Sequence, residues 1–278
     1  MTDTQPVPTP TPEAPYGSWP SPITIDLLVA GSVPLREPGV DGTAILWLEG
    51  RPAEKGRMTL IRLDDRGRTE LTPAPFDVRS RAHEYGGGSW TAADGVIVFS
   101  NGVDNRLYRI TPDAPEPVAI TPEGPWRYAD LLLDLARNRI LAVREDHTLP
   151  DAEPVNTLVQ LALEGPNPEG GTVIVSGSDF VASPALSPDA ARLAWLTWNH
   201  PNMPWDGTEL WVADLAPSGA LSNVRRVAGG PAESIVRPRW DAAGTLIFVS
   251  DRTGWWNLYA DQDGTITPLA PREAVFAE

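Results

Sequence analysis

Leu186-Ser187-Pro188-Asp189-Ala190-Ala191-Arg192-Leu193-Ala194-Trp195 is the stretch that decides the fold. A tight turn at Ser187-Pro188-Asp189 leads directly into a short strand that closes on an aromatic residue. Proline presets φ for the turn, and Ser and Asp bond its backbone with their own side chains. The same shape returns in Trp240-Asp241-Ala242-Ala243-Gly244-Thr245-Leu246-Ile247-Phe248, in residues 94–99 and in residues 41–47, with a weaker copy at 134–143. Each copy is followed by a polar loop and a further strand led by a leucine, at positions 60, 107, 158, 210 and 258. The spacings between those leucines are 47, 51, 52 and 48 residues. Another strand then runs into a turn, as at Leu71-Thr72-Pro73, Ile120-Thr121-Pro122 and Leu269-Ala270-Pro271. A near-constant period of this size, with several short strands in each, is the mark of a β-propeller.

One small sheet cannot bury both of its faces, but sheets fanned around an axis cover one another. The expectation is therefore an all-β chain: a β-propeller of about five blades, each of four antiparallel strands, with Trp47, Phe99, Trp195 and Phe248 between blades. Helical periodicity is nearly absent, which excludes helix-pair solenoids. Residues 1–15 hold five prolines and almost nothing apolar, and are expected to be a disordered tail. Residues 16–278 are expected to form the propeller, with Arg272 to Glu278 running toward a sixth blade.

The formal net charge of −15 and pI of about 4.6 would repel a phosphate backbone, so nucleic acid is not an expected partner. The chain has no cysteine, which removes disulfides and thiolate chemistry together. The first residues lack a basic and an apolar signal region, and no stretch approaches the ~18 apolar residues of a membrane span. A cytoplasmic location with no membrane partner is the expectation.

A serine hydrolase needs Gly-x-Ser-x-Gly on a strand-to-helix turn. Ser89 comes nearest, with Gly87 two residues before it, but Thr91 stands two residues after it. No catalytic residue is therefore expected. His83, His147 and His200 lack ligand-spaced partners, so neither a metal nor any other cofactor is expected. The segment Arg81-Ala82-His83-Glu84-Tyr85-Gly86-Gly87-Gly88 has two readings. Arg81, His83, Glu84 and Tyr85 could face a channel, or the glycines could relieve crowding where an inner strand crosses near the axis. The loop Trp198 to Gly207 offers Asn199, His200, Trp205 and Asp206 as a recognition surface, or is pinned by its own tryptophans. Arg252, in the corresponding loop Asp251 to Asn257, is a further candidate, although a turn with packing aromatics explains that loop as well. Glu145-Asp146-His147 reads as a solvated loop, because adjacent strand residues face opposite sides. A glycan-processing site would need paired acids around the axis, and none is expected at equivalent inner-strand positions.

Taken together, Ser187-Pro188-Asp189, Trp195 to Pro201, Ser250-Asp251-Arg252 with Trp255 to Tyr259, and His83 to Gly88 resemble the N-terminal propeller of prolyl oligopeptidase-family serine peptidases. The nearest type is the bacterial dipeptidyl-aminopeptidase or acylaminoacyl-peptidase. The resemblance spans roughly residues 16–270. It implies a non-catalytic propeller that admits short peptides to a following α/β-hydrolase domain, which carries the triad. Family propellers usually hold about seven or eight blades. The resemblance therefore implies an open or incomplete ring and a truncated form of a longer gene product, with a hydrolase domain or a second chain as partner. The alternative is a stand-alone TolB-like propeller that binds a protein or peptide.

Overall fold

The computed structural model describes residues 13–18, 21–30, 32–85 and 87–276. Most of the tail expected over residues 1–15, up to residue 12, lies outside them, as does Gly86. A short helix, α1 (Ile25–Ala30), precedes five four-stranded antiparallel sheets. Blade 1 is β1 (Leu35–Asp41), β2 (Ala44–Arg51), β3 (Arg57–Asp64) and β4 (Gly67–Glu70). Blade 2 is β5 (Trp90–Ala93), β6 (Val96–Ser100), β7 (Leu107–Thr111) and β8 (Ala114–Ala119). Blade 3 is β9 (Trp126–Asp134), β10 (Arg139–Asp146), β11 (Val155–Ala162) and β12 (Thr172–Val175). Blade 4 is β13 (Phe180–Leu186), β14 (Arg192–Trp198), β15 (Glu209–Leu215) and β16 (Leu221–Gly229). Blade 5 is β17 (Ile235–Trp240), β18 (Leu246–Ser250), β19 (Asn257–Gln262) and β20 (Thr265–Pro268).

In every blade the strands pair in chain order. The Ser-Pro-Asp turn works as its residue types suggest. Ser187 Oγ accepts the Arg192 amide at 2.9 Å, and Asp189 Oδ1 accepts that of Ala191 at 3.0 Å. Asp241 Oδ1 plays the same part in blade 5, accepting the amides of Ala243 and Thr245.

Strand alternation sends successive side chains to the two neighbouring blades. Leu46, Leu48 and Leu60 meet Ile97 and Phe99 between blades 1 and 2. Val98 and Leu107 meet Ile140 and Ala142 between blades 2 and 3. Leu141, Val143 and Leu158 meet Leu193 and Trp195 between blades 3 and 4. Leu196, Leu210 and Val212 meet Leu246 and Phe248 between blades 4 and 5. Among the described residues no core cluster joins blade 5 to blade 1, so the blades form an open arc.

This openness explains two breaks in the repeat. Leu60, Leu107, Leu158 and Leu210, which point to the following blade, are each 0% exposed, whereas Leu258 is only half-buried because among the described residues no blade packs on that face. Phe99, Trp195 and Phe248 face the preceding blade and are buried, as expected from the sequence. Trp47 departs from that expectation. Leu46 and Leu48 on either side of it face blade 2, so alternation turns Trp47 to the open face, half-buried, with its indole N–H on Glu49.

Candidate functional site

The first strands pack on one another in the order β1, β5, β9, β13, β17 and line the axis. Each opens at the end of its blade where the loop between second and third strands also lies, because antiparallel order alternates direction. The connector into β5, with Arg81, His83, Glu84 and Tyr85, is thereby brought to the same end as the loops after β10, β14 and β18. All nine residues singled out in the sequence lie at this end of the molecule.

They do not form one site. His83 and Tyr85 line a cavity of about 510 Å³ together with Asp130, Ser183, Trp198, Arg237 and Arg239. Arg81, Glu84 and Tyr85 line an adjoining cavity of about 490 Å³ against Arg36, Glu37 and Arg79, so the Tyr85 turn divides the two. Asn199 and His200 border a smaller hollow of about 270 Å³. Asn199 Oδ1 accepts the Asp179 amide at 2.7 Å, and His200 Nδ1 lies 3.0 Å from Asp179 Oδ2. Asp206 Oδ2 accepts the Met203 amide within its own loop, and Trp205 projects outward, 60% exposed. Arg252 pairs with Glu233 at 2.7 Å and lies over the Tyr259 ring. Trp205, Asp206 and Arg252 line none of these three cavities.

His83 is held in the left-handed backbone region (φ 56°). Its amide donates to Glu145 Oε1 at 2.9 Å, and its ring packs at 5.7 Å from Phe180 and 5.6 Å from Trp198. Burial holds the imidazole below its usual range, against the opposing pull of Glu145 and Asp130. Burial likewise raises the Tyr85 phenol.

Glu145 corrects the sequence reading of residues 145–147. It is not in a solvated loop but at the end of β10, 2% exposed. Positions 145 and 147 share a side, and His147 Nε2 lies 2.7 Å from Glu145 Oε2. Arg127 links this carboxylate to Glu84, which Arg81 also grips, so the connector into β5 is tied to blade 3.

A second correction concerns acids around the axis. Glu37, Asp130, Ser183 and Arg237 occupy corresponding positions on β1, β9, β13 and β17, each at a register shift and each with φ between 46° and 53°. Acids therefore do stand at equivalent inner-strand positions, but both carboxylates are engaged with protein groups. Glu37 accepts the Ser89 amide at 2.9 Å and its hydroxyl at 3.0 Å. Asp130 Oδ1 accepts the Gly88 amide and Oδ2 the Ser183 amide, both at 2.7 Å. Burial pushes the Glu37 carboxyl up, against the pull of the Ser89 hydrogen bonds. The glycines of this region serve the same closeness, since a Cβ on Gly87 would stand 2.9 Å from Ala129 Cβ and from Asp130 Oδ1.

The bulge residues lie on first strands, which neither the turns before the second strands nor the leucines of the third strands mark. Glu37-Pro38, Ser183-Pro184 and Arg237-Pro238 carry a signal that could have found them, because proline within a strand marks a bulge.

Among the described residues no group of three or more His, Asp or Glu could hold a metal ion, and no helix is long and apolar enough to cross a membrane.

No family model and no curated protein matches the chain. Solved structures do match. A puromycin hydrolase is 36% identical with a TM-score of 0.85, over 95% of this chain and 43% of its own. A puromycin-hydrolyzing peptidase of Mycobacterium tuberculosis is 39% identical with a TM-score of 0.82, over 94% of this chain and 42% of its own. The chain thus spans less than half the length of either. An oligogalacturonate lyase, 16% identical with a TM-score of 0.57 over 82% of this chain and 62% of its own, shares the fold alone.

Proposed function

This chain is a β-propeller of the prolyl oligopeptidase family of peptidases, and from that premise we propose that it screens peptides on their way to an α/β-hydrolase domain, without bond-breaking chemistry of its own. The observation that carries the reading is the crowding of loops around two adjoining cavities at one end of the axis, divided by the Tyr85 turn. Such a mouth discriminates by size, because its walls are anchored. Glu145 and Arg127 fix the turn to blade 3, and Trp198 and Phe180 brace His83. Support also comes from the sequence, which holds no Gly-x-Ser-x-Gly in its 278 residues. The activity of the relatives, puromycin hydrolysis, suggests small substrates for the assembled enzyme.

The test is hydrolysis of a peptide series of increasing length, by the chain alone and by the chain joined to the α/β-hydrolase domain of a relative. The chain alone should give no turnover. The joined protein should cleave short peptides and reject long ones, and Tyr85→Ala should extend the accepted length. Turnover by the chain alone, or hydrolysis indifferent to peptide length, would overturn the reading.

A further inference from the structure

Two arginines line the axial cavity of an acidic chain. The chain has a formal net charge of −15, yet Arg237 and Arg239 both line this 510 Å³ space and both are solvent-exposed. Its acid, Asp130, has each oxygen committed to a backbone amide, of Gly88 and of Ser183. Its histidine, His83, is kept toward the neutral form by burial. The guanidinium groups of Arg237 and Arg239 are the cationic donors on its wall. Guanidinium groups facing a recess recognise carboxylates through paired, charge-assisted hydrogen bonds.

The backbone places these arginines deliberately. The pairing of β17 with β18 shifts between Val236 and Arg239, and Arg237 within that shift takes φ 53°. A bulge re-aims the side chains it carries, and such features cluster near binding sites. Pro238 fits there because a residue in the bulge need not donate to the ladder. Arg239 gives one of its donors to the Pro238 carbonyl at 2.9 Å, which steadies its direction.

The remaining wall is aromatic. Trp198 stacks on Phe180 with ring centroids 5.1 Å apart and planes 11° from parallel. Trp198, His83 and Tyr85 border the cavity, and Tyr85 is 61% exposed. The volume lies within the ~300–1,000 Å³ that small-molecule sites occupy.

We propose that this cavity binds a small peptide bearing a carboxylate and an aromatic side chain, the carboxylate against Arg237 and Arg239 and the ring against Tyr85 and Trp198. The proposal deepens the gating reading and rests on it, since it names what the mouth selects. A carboxylate has two sources in a peptide, its C-terminus and an acidic side chain.

The test is equilibrium binding to the full chain, followed by calorimetry and tryptophan fluorescence, with no hydrolase present. The probes are Gly-Gly-Phe, its C-terminal amide, and Gly-Glu-Phe amide. Gly-Gly-Phe should bind about ten-fold or more tighter than its amide, as expected for a hydrogen bond to a charged group. Tight binding of Gly-Glu-Phe amide as well would assign the preference to any carboxylate, and weak binding would assign it to the C-terminus. Arg239→Gln and Arg237→Asn, the latter chosen because asparagine tolerates positive φ, should each reduce the preference for Gly-Gly-Phe over its amide to less than about two-fold. Equal binding of Gly-Gly-Phe and its amide, or no saturable binding of any probe, would overturn the proposal. Failure of length selection in the hydrolysis assay, with the carboxylate preference intact, would fault the gating reading instead.

Discussion

Asp130 is the residue whose removal tests the axial arrangement most directly. Its carboxylate joins three blades, holding the Gly88 amide that leads into blade 2 and the Ser183 amide of blade 4 from its own place in blade 3. Asp130→Ala removes both acceptors, at about 1.5–3 kcal/mol for each hydrogen bond to a charged group. It also places alanine at a φ of 50°, which adds about 1 kcal/mol. Water reaching the half-buried amides from the cavity offsets part of the loss, so the expected net cost is about 2–4 kcal/mol. Asp130→Asn keeps one acceptor and tolerates the backbone angle, and should cost about half as much. Urea unfolding followed by tryptophan fluorescence measures both. In a thermal melt each kcal/mol corresponds to about 2–4 °C for a domain of this size. An alanine variant within about 0.5 kcal/mol of the parent, or an asparagine variant as damaged as the alanine one, would refute the idea that this carboxylate clamps the inner strands.

Two further outcomes are expected. Trp195→Ala empties a site that is 3% exposed between blades 3 and 4 and should cost about 3–5 kcal/mol. Trp47→Ala, on the half-buried open face of blade 1, should cost less than half of that; equal losses in urea unfolding would mean that the arc closes in solution. His83 titrates below its usual range because burial disfavours the imidazolium. Its neutral form therefore favours folding above the unfolded value of about 6.5, and that contribution is lost as pH falls through the lower folded value. His83→Asn, which tolerates φ 56°, should show a stability difference from the parent that shrinks between pH 7.5 and pH 5, and a constant difference in urea midpoints would contradict this.

The sheets of this protein were legible because their information is local. A Ser-Pro-Asp turn needs only its own residues, and Asp189 and Ser187 close it on neighbours two to five positions away. Alternation along β14 is equally local, so Trp195 could be assigned to an interface before any blade was placed. Trp47 carries the same local pattern, yet only the arc decides that, among the described residues, no blade faces it. The connector residues behaved likewise. The sequence marked His83, Glu84 and Tyr85 as unusual, but not that Glu145, Arg127 and Trp198 would surround them, from 43 to 115 positions away.

What the chain determined by itself is thus the repeat: short strands, their turns, their buried faces, the absence of a nucleophile elbow, and the acidity of the surface. The arrangement of blades decided the rest. It turned Asp130 and Glu37 toward backbone amides of neighbouring blades, set Arg237 and Arg239 beside an aromatic wall, and, among the described residues, left one face of blade 1 and one of blade 5 without a facing blade. Those outcomes depend on distances between segments far apart in sequence, and packing fixes such distances where local propensity does not.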